Sequence, residues 1–424
     1  MENSYSPSPS SSRRRFLKKT LAGVSLSTLA TSLPVSASSS LLNSDENNEM
    51  YWEQVRQQFG LRPGLILMNS ANLCPSPRAV SEAVSSGTQD LDFDASFHNR
   101  KKFGELRTEL RQKLAKYLNV EVDEITLTRN TSESNNTIVQ GLPFKQGDEV
   151  VLWDQNHPTN LLAWQVQAKR LGFTVKVIST PENPSSPQEL IEPFLQAFTP
   201  QTRLLSFSHI SNTTGVAMPS ELCKIAREQG VMSMVDGAQS FGSQNLDLQA
   251  LGCDFYTSSA HKWFMGPREM GILYVRKPLI PELWPHLVGV GYDKYEPEDI
   301  ERLSTFGQQD IAKLSAFIKT VEFHETIGKE KVAQRITDLA GQLKEQVQSR
   351  FPQAKLITPV AEEVSGGVVI VQFPDQDHGK IFNRLYEQHQ IACAPTGGLR
   401  FSPTVYNTSE EVGKVMDALT TLIS

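Results

Sequence analysis

The chain has 424 residues, 41 Lys and Arg against 47 Asp and Glu, 39% hydrophobic residues and four cysteines. This composition excludes a disordered, collagen-like or disulfide-stapled chain, and the length implies one large core with a second, smaller domain. The formal net charge of -6 argues against sequence-independent nucleic-acid binding, which needs a basic surface to neutralise phosphates, and leaves a small molecule as the expected partner.

Residues 1 to 44 hold fourteen serines and neither a helical nor a strand period. Within them Arg13-Arg14-Arg15-Phe16-Leu17-Lys18 precedes an apolar stretch from Leu21 to Leu33, and Val35-Ser36-Ala37 offers the small residues of a cleavage site. Basic, apolar and small segments in that order read as an export signal. The apolar stretch is too short and too rich in Ser and Thr to span a bilayer, which needs about 20 apolar residues. Adjacent arginines followed by Phe-Leu-Lys resemble the twin-arginine signal, whose export machinery carries folded proteins. The expectation is a signal over 1–37 and an extracytoplasmic or periplasmic protein; a cytoplasmic protein with a disordered basic tail is the alternative. Removing 1–37 takes away five basic residues and one acid, leaving a balance of -10. No later stretch has the length and apolarity of a membrane span. Cys74, Cys223, Cys253 and Cys393 form no CxxC pair and no zinc spacing, so no metal is expected.

A linker and N-terminal helix are expected over 38–64, then a large domain over 65–296. There, β-branched or apolar runs at 65–68, 124–128, 149–153, 174–178, 204–208, 232–236 and 271–275 alternate with helical patterns at 103–118, 161–171 and 220–229. Such alternation predicts an α/β fold, a mostly parallel sheet with helices on both faces, whose ligands bind at the carboxyl ends of the strands. Over 297–424 the pattern becomes a smaller α+β domain: helices at 311–327 and 331–351, a strand at 366–373, and helices at 379–388 and 409–422.

Polar clusters follow the strands. After 124–128, Asn130 and Glu133 have capping-box spacing, which places Thr131 and Ser132 at a helix N-terminus, where free N–H groups and hydroxyls suit a phosphate. After 149–153, His157 offers an imidazole that can stack on a flat ligand or serve only as a turn residue. Ser208-His209-Ile210-Ser211-Asn212 follows the next strand. The run 231–235 ends in Asp236, a carboxylate able to pair with a pyridinium nitrogen or to cap a following helix; Gly237 and Ala238 leave room for a ring. Lys262, flanked by Ser258, Ser259, His261 and Trp263, precedes a strand and could form a Schiff base if its ammonium form is destabilised. All of these fall at one edge of the sheet. A flat phosphorylated aldehyde, pyridoxal phosphate, accounts for them together, and no GxGxxG or Walker loop competes.

On these motifs the chain resembles the class V aminotransferase family of pyridoxal-phosphate enzymes, of fold type I. The resemblance runs from about Leu65 to the C-terminus. It is carried by Asn-Thr-Ser-Glu-Ser-Asn-Asn at 130–136, His157 with Asn160 and Trp164, 208–212, Asp-Gly-Ala-Gln at 236–239, Ser-Ala-His-Lys at 259–262, and Arg-Phe-Ser-Pro-Thr-Val-Tyr-Asn-Thr at 400–408. It implies Lys262 as the internal aldimine, Asp236 against the pyridine nitrogen, Gln239 near the phenolic oxygen and His157 stacked on the ring. It also implies phosphate contacts from Thr131, Ser132, Ser259 and His261, Asn212 near the substrate, and Arg400 clamping an amino acid carboxylate. A homodimer is implied as well, with Gln308 standing where relatives carry a threonine that reaches the partner's phosphate.

Cysteine desulfurases of this family carry a nucleophilic cysteine on a loop before the Arg400 position. Here 391–400 is too short for such a loop, and Cys393 reads as a buried structural residue. The layout is more similar to the isopenicillin N epimerase-like branch. The expected function is that of a transaminase or epimerase acting on an amino acid. The alternatives are C–S lyase or desulfurase-like chemistry and a catalytically silent exported binding protein.

Overall fold

The computed structural model describes residues 49–423, so the export-signal reading of 1–37 lies outside the described residues. In chain order the strands are β1 Ile66–Leu67, β2 Ile125–Thr128, β3 Glu149–Trp153, β4 Thr174–Ile178, β5 Thr202–Ser208, β6 Met232–Asp236, β7 Phe255–Ser259, β8 Gly271–Val275, β9 Lys355–Leu356, β10 Val369–Gln372, β11 Ile391–Ala392 and β12 Leu399–Phe401. Seven of them form the central sheet in the order β2-β8-β7-β6-β5-β3-β4. Strand β8 is antiparallel to β2 and β7, and every other pair is parallel. Six strands therefore point the same way, and their carboxyl ends make one edge.

The apolar runs are continuous because both faces of the sheet are covered, and the period of two divides them between layers. Val151, Trp153, Leu205, Phe207, Val235 and Ile272 join one buried cluster with helices Lys102–Leu118, Pro187–Ala197, Glu221–Glu228 and Lys313–Ile327. Their neighbours Val150, Leu152, Leu204, Met234 and Leu273 join the other, with helices Thr131–Gly141 and Pro158–Leu171. The fold is α/β with a mostly parallel sheet, as expected.

Two differences from the sequence reading concern strands. The segment expected as a strand over 65–68 does not enter the central sheet. Only Ile66–Leu67 pairs, in parallel with β11, and Ile66 and Met68 join the C-terminal apolar cluster. The second difference is β7, which carries no apolar alternation. Its Thr257, Ser258 and Ser259 are buried because each is hydrogen-bonded, to Asn135, the Gly237 carbonyl and Thr131 respectively. Polar residues that belong to a site thus disguise a central strand.

In the C-terminal region β12, β10 and β9 form an antiparallel sheet, packed with helices Lys329–Arg350, His378–His389 and Ser409–Ile423. The helical stripe expected from residue 311 holds at Leu314, Phe317, Ile318 and Val321, all buried. Helix Lys313–Ile327 packs on Lys102–Leu118 and on Arg78–Phe93, a helix that the sequence reading did not include. Among the described residues no helix is long and apolar enough to cross a membrane.

Phe317 is fully buried and ties this helix to the sheet. Phe317→Ala is expected to lower unfolding free energy by about 3–5 kcal/mol through lost transfer energy and a residual cavity, measured by denaturant titration. A loss below about 1 kcal/mol would contradict the packing described.

Candidate active site

The helix Thr131–Gly141 begins at the carboxyl edge directly after β2. Asn130 is its N-cap, its Oδ1 accepting from the Glu133 amide at 3.0 Å. The box is not reciprocal, since Glu133 accepts from the amide and side chain of Arg129 instead. Thr131 donates its amide to Ser259 Oγ at 2.8 Å, and the two hydroxyls lie 2.7 Å apart. Ser132 follows at the second helical position, half-buried. The N-terminal dipole and these hydroxyls give an anion cradle.

Asp236 ends β6 with 2% of its surface exposed. It does not cap a helix: Oδ1 accepts from the Ala238 amide at 3.1 Å, and Oδ2 from Asn135 Nδ2 at 2.9 Å. Both donors are neutral, so a protonated ring nitrogen would supply the counter-charge that burial demands. The space beside Gly237 belongs to Tyr256 and not to a ligand, because a Cβ there would sit 2.0 Å from the tyrosine ring.

Lys262 lies in the turn between β7 and β8. Its carbonyl is held by the Met265 amide at 2.8 Å, and Met265 takes a left-handed φ of 58° to close the turn. Burial lowers its ammonium to about 8, with Arg400 acting in the same direction and Asp236 opposing. His261 is pushed down to about 4 by burial and by its cationic neighbours Lys262 and Arg268, so it is a neutral donor or acceptor at neutral pH. His157 caps helix Pro158–Leu171, with Nδ1 accepting from the Thr159 amide at 3.3 Å. Its imidazole is lowered by burial and by Lys262 and Arg400, against Asp236. His157, Lys262, Asp236 and Arg400 are thus near enough to act on one another electrostatically.

Arg400, on β12, donates from Nη1 to the Asn212 carbonyl at 3.1 Å and from Nη2 to Asn69 Oδ1 at 3.5 Å. Its Nε is buried without a hydrogen-bond partner. Burial lowers the guanidinium to about 10, the Cys393 thiol opposing. A buried cation held by neutral oxygens is able to receive a carboxylate. Gln239 is braced, its Nε2 donating to the Ala71 carbonyl at 2.9 Å and its Oε1 accepting from Trp263 Nε1 at 2.7 Å. It therefore links the loop before Cys74 to the residue after Lys262.

The sequence reading did not single out Asn135 or Asn69. Two adjacent asparagines in a hydroxyl-rich helix start give no sign of which one faces the sheet, although the i, i+4 spacing from Thr131 puts Asn135 on its face. Gln308 is exposed, its Oε1 accepting from Arg100 Nη2 at 3.1 Å and its Nε2 donating to the Gln309 carbonyl at 3.3 Å. Cys393 is buried in the C-terminal cluster, its thiol pushed up to about 12. An anion cradle, a buried carboxylate bonded only to neutral donors and a lysine with a destabilised ammonium form fit the phosphate, nitrogen and aldehyde of pyridoxal phosphate.

The family model for aminotransferase class-V matches residues 73–415. The isopenicillin N epimerase of Streptomyces clavuligerus is 29% identical over 391 residues, 88% of this chain and 98% of that protein. The apo cysteine desulfurase from Thermococcus onnurineus NA1 superposes with a TM-score of 0.78 at 26% identity, covering 88% of this chain and 98% of its own. A C-DES mutant with glycine covalently linked to its PLP cofactor also scores 0.78 at 26% identity, over 86% of this chain and 98% of its own.

Because the lysine amine is nucleophilic only when neutral, cofactor uptake by apoprotein should rise about tenfold per pH unit up to about 8 and then level off. Stopped-flow absorbance measures it. A rate still climbing near pH 10 would mean an ordinary lysine.

Proposed function

Because the chain belongs to the class-V aminotransferase family of pyridoxal-phosphate enzymes, we propose that it moves the α-proton of an amino acid, as an epimerase of the isopenicillin N epimerase kind or as a transaminase. The observation that carries this reading is the position of Lys262, half-buried in the turn after β7, at the sheet edge where β6 ends in the buried Asp236. Bound pyridoxal phosphate supplies the electron sink for the charge left when that proton departs.

The chain's own residues do the rest. Arg400 holds the substrate carboxylate with its fork, and Asn212 and Asn69 hold Arg400. Asp236 orients the ring through its nitrogen, Thr131, Ser132, Ser259 and His261 anchor the phosphate, and His157 flanks the ring. Lys262 Nζ, unprotonated for a large fraction of molecules near pH 8, takes the α-proton and returns it. Proton delivery to the face opposite Lys262, from a second donor, would give epimerisation, and pyridoxal phosphate could itself accept the proton in transamination.

A second reading, C–S lyase or desulfurase-like chemistry, is supported by the likeness to the Thermococcus desulfurase. Against a persulfide-forming cysteine stands the burial of all four thiols, three of them pushed up to about 12 and that of Cys253 well above its ordinary value. Loss of sulfur from a substrate without a protein thiolate is compatible with the site. The family likeness, with Trp284, Val288 and Val290 exposed along one segment, supports a homodimer.

Incubation of the purified protein with a panel of amino acids in deuterated water, with and without a keto acid, tests the reading. Mass spectrometry and chiral chromatography should show α-deuteration with loss of optical purity for an epimerase. Keto acid-dependent amine transfer identifies a transaminase, and sulfide release a lyase. Lys262→Ala should abolish deuteration and the colour of covalently held cofactor, and Arg400→Ala should raise KM by about 100-fold. Absence of any spectral change across the panel would leave a silent binding protein.

We further propose export, on the strength of the Arg13-Arg14 leader. Replacing both arginines by lysine should retain the protein in the cytoplasmic fraction; an unchanged location would reject the twin-arginine route.

A further inference from the structure

We propose that Asn135 is the positioning residue for the Asp236 carboxylate, fixed in turn by Thr257, and that this chain couples the nitrogen end of the cofactor site to its phosphate end. The inference rests on the reading of Asp236 as the partner of the ring nitrogen.

Asn135 is fully buried, so each end of its amide must be paired. Nδ2 donates to Asp236 Oδ2 at 2.9 Å, and Oδ1 accepts from Thr257 Oγ1 at 2.6 Å. An ionised carboxylate only accepts, which dictates that the NH2 end faces Asp236 and that Thr257 donates. Thr257 to Asn135 to Asp236 is thus a hydrogen-bond chain with a single direction, in which each bond polarises the next.

The same two elements meet a second time. Thr131 bonds Ser259 at the phosphate cradle, and Asn135 bonds Thr257 beside the carboxylate. Along the helix these rungs are four residues apart, about 6 Å; along β7 they are two residues apart, about 6.6 Å. The matched spacings let one helix face lock onto one strand at both points. Thr257 also stands opposite Asp236 in the β6–β7 register. A helix that holds the phosphate therefore sets the direction of the carboxylate as well, and the distance between the two anchoring points becomes a property of the helix.

The test uses the full-length holoenzyme and four variants: Asn135→Leu, Thr257→Val, Asp236→Ala and the double variant Asp236→Ala with Asn135→Leu. The readouts are the cofactor dissociation constant and the pH midpoint of the bound cofactor's visible absorbance. Asp236→Ala should weaken binding by about 100-fold. Asn135→Leu should weaken it about tenfold and Thr257→Val by about threefold, each displacing the pH midpoint. In the Asp236→Ala background, Asn135→Leu should add less than about twofold, because its effect acts through the carboxylate. An Asn135→Leu effect of equal size in both backgrounds, or wild-type constants and midpoints in both single variants, would overturn the proposal. If Asp236→Ala itself changes neither readout, the ring-nitrogen reading fails first, and the inference with it. If Asn135→Leu does not fold, Thr257→Val in the two backgrounds decides by the same criterion.

Discussion

Asp236 keeps its carboxylate at the end of a central strand with almost no contact with solvent, and that burial sets conditions on every element around it. A charge removed from water must recover its solvation from fixed donors and a counter-charge. The turn after β6 contributes the Ala238 amide and the phosphate-binding helix contributes Asn135. A protonated ring nitrogen, on the proposed reading of Asp236, would contribute the cation. Polar residues in β7, which would be misplaced in an ordinary central strand, are accommodated because they complete these bonds.

The two cationic side chains, half-buried Lys262 and buried Arg400, are treated differently by their surroundings. Lys262 is held where its ammonium form is disfavoured, which leaves a usable fraction as free amine near neutral pH. Arg400 stays charged, since even lowered to about 10 it is protonated at neutral pH. Its partners are a carbonyl and an amide oxygen, which orient the guanidinium without neutralising it. On the proposed reading, the substrate would bring the carboxylate that this cation lacks.

On the proposed reading, epimerisation, transamination and lyase chemistry would all use the same lysine, carboxylate and arginine for binding, orientation and deprotonation. What separates the outcomes is where the proton or leaving group goes next, which depends on groups beyond those three. Cysteine placement is one such difference: Cys393 packs in the C-terminal apolar cluster, and its thiol is far from the thiolate form that nucleophilic chemistry requires.

Much of this is legible in the linear chain. Alternating apolar runs and helical stripes announce the α/β fold, and polar clusters after successive strands announce a site at one sheet edge, with Lys262 and Asp236 in it; Arg400 comes only from the family resemblance. The failures have physical causes. β7 escapes the sequence reading because site polarity overwrites its strand pattern, and residues 65–68 are assigned to the wrong sheet because a two-residue pairing leaves no register signal. Gly237 reads as room for a ligand, whereas Tyr256 fills that space. Local order, cap positions and the chemistry of individual side chains were determined by the sequence alone, since periodicity and capping act over a few residues. Only the tertiary structure decided that Asn135 faces Asp236, 101 residues away, and Thr257, 122 residues away, because those contacts exist only once β6 and β7 lie side by side under one helix.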